Sequence, residues 1–324
     1  YNKPASQMKY LGNTLVKTAP LLMCALSVLF AYKVGLFNIG AAGQYTLGAF
    51  GALYCAIVLQ WPWYLCLLAA MLFGAIWGAL PGIFKAYLNI NEVITAIMFN
   101  WIGLYMVNDI MYGKGKSPMY DLASTKTYSL RKAAPQAMIP SLGMSELFGK
   151  LQSVTIAIFI AIFFAIVVYI ILNKTAFGYE LRACGFNKNA ARYAGINEKR
   201  NIILAMMISG ALAGVGAGLY YLSTVAEWNP QVSTALPAMG FNGISTALLA
   251  CSNPIGTIFS SLFISYITVG GTKLSTQYYT KEIADVITAL IIYLCAFSLL
   301  FKNKIRALLV GKAKRVSVGK GGDD

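Results

Sequence analysis

Long apolar segments separated by short polar stretches dominate the pattern of this sequence. Apolar segments lie at about 18–36, 45–59, 63–87, 91–111, 153–172, 201–222, 239–249, 254–270 and 283–301. Most approach the ~20 residues that a helix needs to cross the hydrocarbon core of a bilayer. Because lipid offers no hydrogen-bond partners, such segments must satisfy their own backbone groups as helices. The pattern therefore predicts an all-α, polytopic helical membrane protein with about eight to nine spans.

Two of these segments are short and interrupted. Residues 239–249 and 254–270 are separated by the polar turn 251–254, and interrupted half-length segments often mark the translocation path of a transporter. Phe241-Asn242-Gly243 repeats part of Phe37-Asn38-Ile39-Gly40 from the first half. The repeat is either chance or the trace of two symmetry-related pathway elements.

Polar residues near the ends of three segments are candidates for the translocation path. FNIGAAGQ at 37–44 should break a helix, so it predicts either backbone that lines a cavity or a tight turn between helices. Asn91 is a good helix N-cap and Glu92 suits the first turn, although Glu92 could instead be a gate residue. Asn100 should face protein or a cavity rather than lipid. The candidates are Phe37, Asn38, Gln44, Asn91, Glu92, Asn100, Phe241 and Asn242.

Three further stretches are defined by their polarity or their glycines. Residues 113–152 form a long polar loop that we place on the outer side of the membrane. Residues 174–200 are basic, and Gly178, Gly185 and Gly195 predict one or two short helices between turns, either as a docking surface or as an ordinary cytoplasmic loop. Within 201–222, the four-residue spacing predicts a groove for close helix packing, formed by Gly210, Gly214 and Gly218.

Composition excludes several classes of protein. A chain that is 58% hydrophobic and 11% charged is not a soluble globular protein. The net charge of +15 reflects basic loops and a basic tail, so we expect no nucleic-acid partner. The chain has no histidine, and its 6 cysteines lack CxxC spacing, so neither a metal site nor a histidine-based catalytic site is expected. No P-loop spacing occurs either, so this chain should carry no ATP site.

Four motifs together identify a family. GYELRACGFNKNAARYAGI at 178–196 resembles the coupling loop of permease subunits of ATP-binding-cassette (ABC) importers, in the branch that takes up nucleosides and simple sugars. LFNIGAAGQ at 36–44, NEVITAIMFNWI at 91–102 and GFNGISTALL at 240–249 are similar to the same branch, so the resemblance covers most of the chain. One departure is Ala42, where family members commonly have an acidic residue. The loop residues that the resemblance assigns to ATPase coupling are Gly178, Tyr179, Glu180, Leu181, Arg182, Gly185, Asn187, Ala190, Ala191, Arg192, Gly195 and Ile196.

The resemblance implies an inverted-repeat, type II importer permease with about ten spans, so the first family helix is expected to be missing. It implies one membrane domain over 1–310 and a basic cytoplasmic tail over 311–324. The implied partners are an ABC ATPase subunit that holds ATP and Mg, a second permease that is identical or homologous, an extracytoplasmic substrate-binding protein and membrane lipid. The implied location is the bacterial cytoplasmic membrane, with the coupling loop and the C-terminus cytoplasmic.

The implied substrates are nucleosides, of the purine type in particular, with simple sugars such as ribose or galactose as the alternative. Phe37 and Phe241 could stack on a base, which favours nucleosides. An ion-coupled secondary transporter is a more distant alternative, since its carboxylates would be Glu92, Asp109 and Asp285, all near span ends. A membrane enzyme would need a catalytic constellation, and the sequence offers none.

Overall fold

A computed structural model describes residues 4–230 and 234–271, with residues 283, 286, 287, 289–291, 293 and 294. Helices dominate these residues, which confirms the all-α fold class. They are α1 Pro4–Tyr32, α2 Ala41–Ile57, α3 Trp63–Leu88, α4 Glu92–Tyr112, α5 Leu130–Ala133, α6 Met144–Leu147, α7 Ala157–Lys174, α8 Ala176–Phe186, α9 Lys188–Tyr193, α10 Glu198–Leu222, α11 Ala238–Leu249 and α12 Pro254–Gly271.

The predicted spans up to residue 271 each coincide with one of these helices. Within the described residues, 6 helices are long and apolar enough to cross a membrane, while α2 has 17 residues and α11 has 12. The predicted span 283–301 lies mostly outside the described residues, and Asp285 and the tail 311–324 lie outside them entirely.

The first helix is longer at its start than the sequence pattern indicated. The predicted span begins at about residue 18 and ends at about residue 36, but α1 runs from Pro4 to Tyr32, and residues 33–40 are not helical. Two hydroxyl groups in this half of α1 are satisfied by the helix's own backbone, since Thr14 Oγ1 donates to the Tyr10 carbonyl oxygen at 3.0 Å and Thr18 Oγ1 to that of Thr14 at 2.7 Å. Lys33, which we expected within the span, therefore lies just beyond it.

The helix α10 lies at the centre of the bundle, in contact with α1, α2 and α3. Both α1 and α10 are mostly buried, whereas most residues of α3, α4 and α7 are partly buried or exposed, in the apolar segments that would face lipid. On α7 the buried side chains repeat every three or four residues, so one face packs on the bundle and the other is free for lipid. The buried face contains Ala161, Ala165, Val168 and Leu172.

Glycines allow α10 to approach α3 at backbone distance. A Cβ atom on Gly210 would collide with the Gly74 carbonyl oxygen, and one on Gly214 would collide with the Ala70 carbonyl oxygen. Gly218 faces side chains instead, with Leu67 Cδ1 2.8 Å from the position of its Cβ atom. The close approach of two backbones is the geometry that small residues permit between membrane helices.

The polar loop 113–152 folds over one end of the bundle. It contains a two-residue antiparallel pair, β1 Tyr120–Asp121 and β2 Lys126–Thr127, as well as α5, α6 and two 3-10 turns at Gly113–Gly115 and Pro135–Ala137. The backbone N–H of Thr127 donates to the Trp228 carbonyl oxygen at 2.8 Å. The indole N–H of Trp228 donates to Asn108 Oδ1 at 2.8 Å. The first bond joins the loop to the segment after α10, and the second joins that segment to α4, at the end of the bundle opposite α8 and α9.

Candidate coupling and translocation site

The predicted coupling loop, residues 174–200, folds into two short helices, α8 and α9, ahead of α10. Each of these three helices begins with a side-chain cap, the interaction that satisfies a free N–H at a helix start. Thr175 Oγ1 accepts from the Gly178 N–H at 3.0 Å, Asn187 Oδ1 from that of Ala190 at 3.1 Å, and Asn197 Oδ1 from that of Arg200 at 3.1 Å. The polar residues of the motif thus define where its helices start.

One side of this loop is buried against the bundle and the other is open. Leu181, Cys184 and Ala191 are buried, and the Asn201 amide at the start of α10 donates to Glu180 Oε2 at 3.3 Å. On the open side, Tyr179, Ala190 and Arg192 are exposed, Ile196 is half-buried, and two aromatic side chains stand almost free: Phe186 is 91% exposed and Tyr193 is 94% exposed. Apolar rings at such exposure are typical of a surface that another protein covers.

The three glycines of the loop have different structural roles. Only Gly195 lies in a turn, with a φ of +80° that an L side chain rarely adopts. Gly178 and Gly185, which we expected at turns, are inside α8. A Cβ atom on Gly178 would collide with the Ile171 carbonyl oxygen, and one on Gly185 would lie 2.6 Å from the Lys33 carbonyl oxygen. Gly185 is therefore the point where the loop touches the segment between α1 and α2.

Asn38 and Gln44 take part in a buried hydrogen-bond network. Asn38 Nδ2 donates to Gln44 Oε1 at 2.8 Å and to Ser209 Oγ at 2.6 Å, and it lies 3.3 Å from Ser27 Oγ. The Ser209 hydroxyl also donates to the Ser27 carbonyl oxygen at 2.7 Å. All four side chains are at most 1% exposed, so the network joins α1, α2 and α10 across the middle of the bundle.

Asn100 is the second buried amide near the helix break. Its Oδ1 accepts from the Gly43 N–H at 2.7 Å, and its Nδ2 donates to the Ile39 carbonyl oxygen at 3.0 Å. The Asn100 side chain, which projects from α4, thus satisfies the backbone groups that the break before α2 leaves free. Ala42 is also fully buried, and a Cβ atom on Gly240 would lie 2.5 Å from the Ala42 Cα atom. The space beside Ala42 is thus filled by α11.

A cleft connects the predicted coupling loop with the predicted pathway. It has a volume of about 580 Å³, and its lining includes Phe37 and Glu92 from the pathway set and Arg182, Gly185 and Phe186 from the loop. Lys33 also lines it. Burial lowers the pKa of the Lys33 ammonium group from its ordinary value, and the nearby Arg182 guanidinium lowers it further.

Glu92 and Asn91 lie at the junction of α3 and α4. Asn91 Oδ1 caps α4 by accepting from the Val93 N–H at 2.9 Å. The Glu92 carboxylate forms an ion pair with Lys85 Nζ at 2.9 Å, and the two side chains are only 15% and 18% exposed. Glu92 therefore holds α4 to the last turn of α3 and also borders the cleft.

The two remaining pathway candidates lie on α11, away from the buried network. Gly240 and Gly243 face α2 and α1, because Cβ atoms there would meet Ala42 and Cys24. Phe241 and Asn242 are exposed on the same helix, and Phe241 is 40% exposed. Asn38 and Asn242, which the sequence repeat relates, thus have opposite environments in this chain.

Sequence reasoning missed Ser27, Ser209 and Lys33 as parts of this region. A small hydroxyl residue inside an apolar helix is a weak signal, since it can bond its own backbone as Thr14 and Thr18 do. Lys33 falls near the end of the predicted span 18–36, where the sequence alone indicates only a lysine that reaches the membrane interface. Its position between α1 and α8 depends on the fold of the loop, which the local sequence does not specify.

Comparison with known proteins gives a family match over most of the chain. The family described as branched-chain amino acid transport system / permease component matches residues 10–296. The chain is 33% identical to the nucleoside ABC transporter permease protein NupB of Lactococcus lactis subsp. cremoris (strain MG1363), over 96% of this chain and 85% of that protein. It is 31% identical to the guanosine ABC transporter permease protein NupP of Bacillus subtilis (strain 168), over 97% of this chain and 87% of that protein.

A solved structure shows the same fold. It is an inward-facing conformation of a metal-chelate type ABC transporter, which matches 93% of this chain and 90% of its own chain with a TM-score of 0.50. At 14% identity this likeness concerns the fold alone.

Proposed function

Because the chain belongs to the family of branched-chain amino acid transport system permease components, we propose that it is the membrane-spanning permease subunit of an ATP-driven ABC importer for nucleosides. The observation that carries the substrate class is the similarity over nearly the whole chain to permeases of nucleosides and guanosine. The chain is a multi-pass membrane protein and a transport subunit rather than an enzyme. ATP and Mg would bind to a separate ATPase subunit.

The coupling loop is the proposed contact with that ATPase. Its exposed rings, Phe186 and Tyr193, supply apolar surface on either side of α9. Movement of the loop would reach the pathway through Gly185, where α8 touches the Lys33 backbone without an intervening side chain. A rigid contact of this kind suits a transporter that switches between two states, because it transmits displacement rather than absorbing it. The loop and the C-terminus would face the cytoplasm, in accord with their basic composition.

A second permease, identical or homologous, would complete the translocation path. The exposed side of α11, with Phe241 and Asn242, is a part of the predicted pathway that this chain leaves open. A ring and an amide there could stack on a base and bond its edge. The buried amides Asn38 and Asn100 would shape the path by holding the break before α2. An extracytoplasmic binding protein would deliver the substrate at the end covered by the loop 113–152.

Reconstitution of the purified transporter with its ATPase and binding protein tests this function. Uptake of labelled guanosine into proteoliposomes should require ATP and should persist when ionophores remove the ion gradients. A panel of nucleosides, ribose, galactose and branched-chain amino acids, each added unlabelled in excess, should show competition by nucleosides alone. Absence of labelled guanosine uptake, together with ATP-dependent uptake of labelled ribose or galactose, would replace the substrate class and retain the mechanism. Uptake driven by an ion gradient without ATP would contradict the proposal as a whole.

A further inference from the structure

A second cleft lies beside the coupling loop and adjoins the one that Glu92 borders, with Lys33 and Arg182 lining both. It has a volume of about 330 Å³ and lies between the ends of α1, α7 and α8 and the turn that joins α11 to α12. Three cations line it, Lys33, Lys174 and Arg182, with polar side chains from Asn173, Ser252 and Asn253. No Asp or Glu is among the described residues that line this cleft.

The three cations have no carboxylate partner in the part of the chain that the structure describes. The ion pairs found there join Lys85 to Glu92 and Lys188 to Glu198. Arg182 Nε makes only a long hydrogen bond, 3.4 Å, to the Gly178 carbonyl oxygen. Like charges that share a cleft repel one another, so a bound anion would stabilise this arrangement.

The position of the cleft indicates where that anion would come from. Lys33 follows the last residue of α1, Lys174 is the last residue of α7, and Pro254 is the first residue of α12. Ends of spanning helices lie at the level of the lipid headgroups. Leu172 and Tyr169 of α7 also line the cleft and give it an apolar side next to its cations. The positive end of the α12 dipole attracts a negative group, whereas the carboxyl ends of α1 and α7 place the negative ends of their dipoles beside Lys33 and Lys174, so the three side-chain cations supply most of the attraction.

We propose that this cleft binds the phosphate group of an anionic phospholipid, held by Lys33, Lys174 and Arg182. A guanidinium and two ammonium groups match the several oxygens of a phosphate, and basic pockets between membrane helices bind such headgroups. The bound lipid would tie the coupling helix α8 to the ends of α1 and α7. It would thereby stabilise the contact through which the loop acts on the pathway. This inference does not depend on which substrate the transporter carries.

Thermal unfolding of the assembled transporter in detergent tests the site. Short-chain phosphatidylglycerol should raise the unfolding midpoint with a half-saturating concentration at least about tenfold lower than that of the matching phosphatidylcholine. Lys33→Gln and Lys174→Gln should each raise that concentration about fivefold, since each removes one cation from the headgroup. Lys33→Arg keeps the charge and should stay within about twofold, which separates loss of charge from loss of packing.

Lys199→Gln is the matched control. Lys199 lies on the same side of the bundle and is exposed, with its Nζ atom 5.0 Å from the centre of the Tyr87 ring. If the site is specific, the Lys199→Gln variant should bind phosphatidylglycerol as the unmodified protein does. An equal loss in Lys199→Gln would show a diffuse basic surface and overturn the proposal. Equal effects of phosphatidylglycerol and phosphatidylcholine would also overturn it, as would unchanged phosphatidylglycerol binding in both Lys33→Gln and Lys174→Gln.

Inorganic phosphate distinguishes the two sources of the same chemistry. If the lipid is the ligand, phosphate at millimolar concentration should shift the midpoint far less than phosphatidylglycerol does. An equal shift by phosphate that Lys33→Gln and Lys174→Gln abolish would retain the anion site and assign it to a soluble phosphate. Because the ATPase is present in the assay, a cleft that the ATPase already fills would bind neither probe, and that result would overturn the proposal.

Discussion

The amide of Asn38 donates a 2.6 Å hydrogen bond to the hydroxyl of Ser209, although the two residues are 171 positions apart in the sequence. This bond joins the helix break before α2 to the central helix α10. Both side chains are fully buried, so water cannot replace either partner if the other is removed. The break is therefore held in place by named polar contacts rather than by apolar packing alone.

Asn38→Ala is expected to destabilise the protein by about 1–3 kcal/mol, because it leaves buried groups on Gln44 and Ser209 without their partner. The free energy of unfolding of the solubilised chain measures this loss. Ser209→Ala serves as the second arm of a double-mutant cycle. If the two residues act through one network, the double variant should lose at least about 0.5 kcal/mol less than the sum of the single variants. Additive losses would show that the bond contributes nothing of its own.

Gly210→Ala is expected to disrupt the packing of α10 on α3. The added methyl group would collide with the Gly74 carbonyl oxygen, which is part of a helix backbone and cannot move aside without separating the helices. Overpacking of this kind costs about 1–3 kcal/mol or more. Unfolding in mixed detergent measures the change in stability.

Gly270→Ala is the matched control for that substitution. It makes the same chemical change in another long apolar helix, α12, where a Cβ atom would meet no atom of the described chain within 4 Å. Its effect should stay within about 0.5 kcal/mol. Comparable losses in Gly210→Ala and Gly270→Ala would show that the loss reflects glycine replacement in general rather than the contact with α3.

Phe186→Ala and Tyr193→Ala should weaken assembly with the ATPase while the permease remains folded. Both rings are almost fully exposed, so their removal costs the isolated chain little. In a protein interface, loss of a buried aromatic side chain costs about 2 kcal/mol or more, which is at least about thirtyfold in affinity. Co-purification of the ATPase and substrate-stimulated ATP hydrolysis measure the effect.

Leu142→Ala provides the comparison at the opposite end of the bundle. Leu142 is 78% exposed in the loop 113–152, so the variant also removes an exposed apolar side chain. We expect it to retain the ATPase fully. If Phe186→Ala and Tyr193→Ala also retained the ATPase and its coupling, the assignment of α8 and α9 as the contact surface would be contradicted.

The sequence predicted the spans well because hydrophobic length is a local property. It placed α11 and α12 to within a residue or so, since Pro254 and the polar turn before it mark the break unambiguously. The predicted start of α1 was wrong because Lys9, Asn13 and Lys17 made the first residues appear too polar for a span. In the structure the helix begins at Pro4.

The site was less accessible from sequence because its contacts cross long distances along the chain. Asn38, Gln44 and Asn100 were identified as polar residues at membrane depth, and their type alone did not distinguish a cavity lining from a buried network. That distinction depends on Ser27 and Ser209, which lie on α1 and α10. Gly185 was likewise assigned to a turn, since no local pattern reveals that the Lys33 carbonyl oxygen lies against it.

The ion pair between Lys85 and Glu92 allows the two interpretations of Glu92 to be separated. The carboxylate either secures α4 to α3 or acts as a gate at the cleft that Phe37 also lines. Because the pair is mostly buried, Glu92→Gln should destabilise the chain by about 1–3 kcal/mol through the unpaired Lys85. Exchange of the charges in Lys85→Glu/Glu92→Lys should recover part of this loss. Recovery should be incomplete, because a lysine in the first turn of α4 and a glutamate in the last turn of α3 each oppose the helix dipole.

Transport by the charge-exchanged variant then decides the role of Glu92. A structural carboxylate needs only a partner of opposite charge, so the exchanged pair should restore ATP-driven uptake together with stability. We expect this result, because Asn91 already caps the helix and the 2.9 Å ion pair occupies the carboxylate. A variant that regains stability but transports no substrate would instead assign Glu92 to the gate. Lys85→Gln completes the set. If the ion pair is purely structural, this variant should lose stability and uptake in the same proportion as Glu92→Gln.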